Sequence, residues 1–256
     1  MAMDRRDFLK LAVSGISVSS PLASVHAQSV ARGRFQAIVF DAFPIFDPRP
    51  IFGLAEDLFP GKGGELSSVW RTRQFEYQWL SALAARSLDF WEATENSLVF
   101  AAEMLRLDLT DEKRSRLMSA YLEMRTWPDV VSALGTLRQA GFRLGLLSNM
   151  TSKMLHANVG HAGLERIFEQ VLSTDQVKSY KPDPRAYRMA VDELRLMREQ
   201  ILFAPFAGWD ASGARWFGYP TFWVNRLSLP PERLGIPANA AGRDLSDLVS
   251  FALSSN

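Results

Sequence analysis

Between Phe35 and Asp47 the chain reads Phe-Gln-Ala-Ile-Val-Phe-Asp-Ala-Phe-Pro-Ile-Phe-Asp, a short apolar run that stops at a carboxylate. Five of the six residues before Asp41 are apolar, a length suited to a buried strand and too short for an independent helix. Pro44 has no N–H to give a ladder, so regular pairing ends near Asp41. In an open parallel sheet the carboxyl ends of the strands face the ligand crevice, which puts Asp41 at a binding site. The ordinary alternative is an Asp that caps the next turn.

The residues after that strand decide the fold class. Beyond Asp47 the pattern is helical for roughly 80 residues. Pro48, Pro50, Pro60, Gly61, Gly63 and Gly64 mark a loop. Leu66, Val69, Trp70, Phe75, Trp79, Leu80 and Leu83 then recur at helical intervals, and further helices are expected over Phe90–Leu107 and from Thr110 to about Arg125. From Asp129 onward strand and helix alternate, with strands at Phe142–Leu147, Phe168–Leu172, Ile201–Ala204 and Thr221–Val224 and helices between them, the last-sheet helix covering Ala211–Phe217. Such alternation predicts a doubly wound parallel sheet with right-handed crossovers. The expected organisation is therefore an α/β core of residues 28–47 and 128–256, with a helical cap, residues 48–127, inserted after the first strand.

Composition excludes several chemistries. The chain has no cysteine and three histidines, so disulfides, thiolate metal sites and a cysteine nucleophile are ruled out, and an imidazole metal site has little to draw on. Lys and Arg number 29 against 28 Asp and Glu, interspersed, which gives no nucleic-acid footprint. At the N-terminus, Asp4-Arg5-Arg6-Asp7-Phe8-Leu9-Lys10 precedes a modest apolar stretch from Leu11 to Leu22, too short for a membrane anchor, and then Val25-His26-Ala27. This resembles a twin-arginine signal peptide over residues 1–27, and implies the twin-arginine export machinery as a partner, a periplasmic location and a mature chain starting near Gln28.

Polar residues recur where the core strands end. Asp41, Ser148-Asn149, Lys181 and Asp210 follow four different strands, and one doubly wound sheet gathers all of them along a single edge. Each has an ordinary reading as a helix cap, turn residue or solvated lysine. Their recurrence after successive strands favours a site.

This constellation resembles the haloacid dehalogenase superfamily, and within it the 2-haloacid dehalogenase branch. The resemblance rests on Phe40-Asp41-Ala42-Phe43, Val69-Trp70-Arg71, Phe75-Glu76-Tyr77-Gln78-Trp79-Leu80, Leu147-Ser148-Asn149, Tyr180-Lys181-Pro182-Asp183 and Trp209-Asp210-Ala211-Ser212-Gly213-Ala214. It implies hydrolytic dehalogenation of short 2-haloalkanoic acids, with the S enantiomer as substrate, through an aspartyl ester. By the same resemblance Asp41 is the nucleophile, Lys181 its cation, and Asp210 orients Lys181 and the hydrolytic water. Arg71 engages substrate carboxylate and departing halide, Ser148 the carboxylate, and Asn149 the halide. Tyr187 lies near the nucleophile, and Phe43, Phe90 and Trp209 surround the substrate. No cofactor or metal is implied, and a homodimer is. The superfamily's phosphatases carry a second Asp two residues after the nucleophile, where this chain has Phe43, which disfavours a phosphatase and its Mg²⁺.

Two stretches depart from the branch. Its Tyr-Gly-Thr-Leu-Phe-Asp is here Phe43-Pro44-Ile45-Phe46-Asp47, without the threonine hydroxyl, and its Ser-Ser-Asn-Ala-Trp-Asp is here Pro205-Phe206-Ala207-Gly208-Trp209-Asp210. The second change removes side-chain hydrogen bonds from the ester-hydrolysis half of the reaction. These losses, on a shared scaffold, leave two competing readings. One is an exported, catalytically impaired homologue that binds small carboxylates, and the other a hydrolase of another small electrophile or phosphate ester.

Overall fold

The computed structural model describes residues 34–255; the signal-peptide expectation for residues 1–27 lies outside them. The first strand, β1 (Ala37–Phe40), is fully buried and lies between β2 (Arg143–Ser148) and β4 (Ile201–Ala204), with β3 (Gln170–Ser173) outside β2. All three pairings are parallel. A parallel strand pair β5 (Phe222–Val224) and β6 (Ala240–Gly242) continues the layer beyond β4 through a bridge between Phe203 and Thr221. Parallel order demands crossovers, and they supply helices to both faces.

Period-two alternation along β1 sorts its side chains between those faces. Ala37 and Val39 pack with Leu147, Ile201 and Phe203 under α7 (Pro184–Leu194) and α8 (Gly208–Phe217). Ile38 and Phe40 pack with Leu144, Leu146 and Leu202 under α5 (Val130–Gln139), α6 (Ser152–His161) and α9 (Leu245–Ser254). Buried apolar side chains of the inserted helices, among them Ile51, Leu66, Trp70 and Leu98, belong to this second core.

The insertion leaves and returns at one point. Asp47 N–H donates to Arg125 O at 2.8 Å and Trp127 N–H to Ile45 O at 3.1 Å, flanking an antiparallel bridge between Phe46 and Thr126. Between these two segments the chain forms α1 (Arg49–Leu58), α2 (Gly63–Leu83), α3 (Phe90–Met104) and α4 (Asp111–Ser119), with a single 3-10 turn at Ala120–Leu122. Asp89 and Glu92 close a capping box at the start of α3, and Thr110 caps α4.

Two expectations are corrected. The proline- and glycine-rich stretch after Asp47 is not all loop, because α1 begins within it. Pro50 falls in the first helical turn, where a missing N–H has no intrahelical partner to lose. The helix after β4 starts at Gly208 rather than Ala211, so Asp210 sits inside its first turn and does not cap it.

Candidate active site

Asp41 follows β1 directly, its N–H bonded to Ala204 O at 3.1 Å, and the chain turns sharply through Ile45 and Phe46, both of whose N–H groups reach Ala42 O. The turn carries no threonine hydroxyl, and other groups hold it. Phe43 N–H lies 3.3 Å from Asp41 Oδ2, and Trp127 Nε1–H donates to Phe43 O at 2.9 Å. Arg226, at the end of β5, grips Pro44 O from Nη2 at 2.7 Å while pairing with Asp129 at 2.9 Å.

Lys181 arrives from the loop before α7 and is 1% exposed. Its Nζ donates to Asp41 Oδ1 at 2.8 Å, Asp210 Oδ2 at 2.7 Å and Leu147 O at 3.3 Å, so all three ammonium hydrogens are used. Burial favours a neutral amine, but the carboxylates of Asp210 and Asp41 outweigh it and hold Lys181 above the usual lysine range. Asp210 is pushed up by burial; Lys181 opposes that shift and the Asp41 charge adds to it. Tyr187 donates its hydroxyl to Asp210 Oδ1 at 2.7 Å, and Gly213 leaves that hydroxyl room, since a Cβ there would lie 2.5 Å from it.

One ammonium against two carboxylates leaves this buried cluster with a net negative charge, which repels an anionic ligand unless a second cation is near. Arg71 of α2 supplies one. Its guanidinium lies 5.1 Å above the Phe52 ring, and no carboxylate of the described residues pairs with it. Above Asp41 and Lys181 the core and the inserted helices enclose a cavity of about 480 Å³. Nine of the ten sequence-predicted residues line it: Asp41, Phe43, Arg71, Phe90, Ser148, Asn149, Lys181, Trp209 and Asp210. Tyr187 does not; it stands behind Asp210, buried among Phe203, Phe217 and Tyr219.

Several lining residues escaped the sequence reading. Phe52 was hidden by the loop assignment of α1, and Gln74 and Tyr121 read as ordinary helix positions. Burial pushes the Tyr121 hydroxyl up to about 12, against the charge of Arg71 and a hydrogen bond with Gln74, so it stays neutral in the cavity wall. Asn225 immediately follows β5, and the strand-end rule that singled out Asp41 also points to it. The flanking loop contributes Leu227, Leu229 and Glu232 at the lip. Ala207 lines the wall without a polar side chain. Among the described residues no group of three or more His, Asp or Glu side chains is arranged to hold a metal ion.

Comparison with known proteins places this geometry. The family model of haloacid dehalogenase-like hydrolases matches residues 35–218. The chain is 42% identical to the (S)-2-haloacid dehalogenase of Pseudomonas sp. (strain YL), over 78% of this chain and 87% of that one. It superposes on a solved L-2-haloacid dehalogenase with TM-score 0.84 at 41% identity, covering 86% of this chain and 99% of the other. It also matches the L-2-haloacid dehalogenase of Xanthobacter autotrophicus with chloropropionic acid covalently bound, with TM-score 0.80 at 29% identity, covering 87% and 100% of the two chains.

Proposed function

The chain belongs to the haloacid dehalogenase-like hydrolases, and within that family we propose that it converts short (S)-2-haloalkanoic acids to 2-hydroxy acids with release of halide. The observation that carries this reading is Lys181 Nζ bridging Asp41 Oδ1 and Asp210 Oδ2 under a cavity that Arg71 also lines, with no carboxylate of the described residues paired to it. An Asp41 carboxylate oxygen attacks C2 from the side opposite the halogen, the C–O bond forms, and halide leaves with the bonding pair and inversion at C2. Water then adds to the Asp41 carboxyl carbon, the 2-hydroxy acid departs with its oxygen, and one proton is released. Lys181 holds Asp41 Oδ1 at 2.8 Å, and the bonds from Lys181 and Tyr187 fix Asp210 beside the water's path. Arg71 and Ser148 take the substrate carboxylate, Arg71 and Asn149 the halide, and Phe43, Phe90 and Trp209 exclude bulk water during displacement.

The test uses the mature chain from Gln28 with each enantiomer of 2-chloropropionate. Chloride and 2-hydroxypropionate should appear one for one from the S acid, with the R acid at least about a hundredfold slower, a gap of about 2.7 kcal/mol, and a chelator without effect. Saturable binding without halide release would instead favour the carboxylate-binding reading, which Pro205 and Ala207 support by offering no side-chain hydrogen bond beside Asp210. Chelator-sensitive release of inorganic phosphate from a phosphate ester would favour the phosphatase reading.

We also propose export: Arg5-Arg6 and the downstream Phe8-Leu9-Lys10 direct the folded protein through the twin-arginine route to the periplasm. Replacing Arg5 and Arg6 together by lysine should leave most of the protein inside the cell as uncleaved precursor, seen by fractionation. Homodimer formation is supported by the exposed apolar side chains Leu80, Leu83 and Trp216 on α2 and α8.

A further inference from the structure

Helix α2 does more than carry Arg71. Asn149 Oδ1 accepts the N–H of Lys181 at 2.9 Å, and Asn149 Nδ2 donates to Gln78 Oε1 at 3.1 Å. The next residue, Trp79, donates Nε1–H to Lys181 O at 3.2 Å. One helix of the insertion therefore holds both polar ends of the Lys181 backbone, directly on the carbonyl side and through Asn149 on the amide side.

The orientation of these amides is forced. A backbone N–H only donates, so Asn149 must present oxygen to Lys181 and nitrogen to Gln78, and Gln78 must answer with its own oxygen. Gln78 Nε2 is then left without a partner, and it is one of two such buried side-chain atoms among the described residues, in a side chain with no exposure. A buried orphan donor costs stability, so the arrangement is not explained by stability. The Asn149 amide has two N–H bonds. Gln78 takes one and fixes the amide plane, which leaves the second for the cavity that Asn149 lines.

We infer that Gln78 is a positioning residue that aims the free N–H of Asn149 at the departing halide while keeping Lys181 seated under Asp41. This rests on the proposed dehalogenation and adds to it a residue that acts only through Asn149. Chloride leaves carbon less readily than bromide and leans more on a donor as charge develops, so the two halides separate this role from a structural one.

The test compares kcat for (S)-2-chloropropionate and (S)-2-bromopropionate in wild type and Gln78→Met. Methionine keeps the apolar volume and removes acceptor and orphan donor together, so thermal stability should change by no more than a few degrees. The expected result is a loss of about ten- to thirtyfold for chloride and about threefold for bromide, with KM changed less than about twofold. A ratio unchanged in Gln78→Met, while the wild type releases both halides, overturns this inference alone. A wild type that releases neither overturns the function together with it.

Discussion

Asp41→Asn should lower halide release from (S)-2-chloropropionate by at least about 10⁴-fold, because in the proposed reaction Asp41 is the nucleophile, and its loss from a site that acts as a unit removes nearly all of the acceleration. The amide has the shape of the carboxylate but not its charge or its nucleophilic oxygen. Folding should survive. In the wild type two buried carboxylates share one ammonium, and the variant leaves Lys181 with Asp210 at 2.7 Å, a matched pair. Melting temperature should therefore move by only a few degrees while turnover disappears. Mass spectrometry of the protein quenched during turnover gives an independent check, since the wild type should carry a fraction of chain heavier by the 1-carboxyethyl group esterified to Asp41 and the variant none. A variant that retains a tenth of the wild-type rate, or that carries the same adduct, would remove Asp41 from the mechanism.

The residues that meet at the site were legible in sequence because one rule governs them. Strand ends of a parallel sheet converge, and Asp41, Ser148-Asn149, Lys181 and Asp210 each come after an apolar run short enough to be a strand. The sequence reading failed where local chemistry outweighed composition. Pro48 and Pro50 suggested a loop, yet proline in a first turn is compatible with a helix, and the missed α1 took Phe52 with it. Gln78 was invisible for a different reason. It is a polar residue on a helix whose outer positions are also polar, and only the packing of α2 against Asn149 separates it from a solvated glutamine. Likewise Arg226 and Trp127, which hold the turn after Asp41, lie far from it in sequence, and nothing local signals that their side chains return to the Phe43 and Pro44 carbonyls.

Lys181→Met should abolish activity and also destabilise the protein by an amount that depends on pH below neutrality, a range in which the Lys181 contribution to the wild type is constant. In the wild type the Lys181 value is raised, so its stabilising contribution is complete below the unfolded lysine value of 10.5 and is lost as pH rises through the higher folded value. Stability should be insensitive to this group near neutral pH. In the variant the two carboxylates face each other, buried, without the cation that opposed the upward shift of Asp210. Both can no longer be ionised without a penalty, so the folded state binds a proton more readily than the unfolded one. Stability then rises as pH falls from neutral toward the ordinary carboxylate range. Removing the cation from this buried cluster should cost about 3–5 kcal/mol at pH near 7.5, of the order of 10 °C in melting temperature for a domain of this size. The gap should narrow at about pH 5. Adding Asp210→Asn to Lys181→Met removes one of the opposed charges and should recover much of the stability without recovering turnover. If Lys181→Met melts with the wild type at both pH values, the ammonium is not what holds the two carboxylates together.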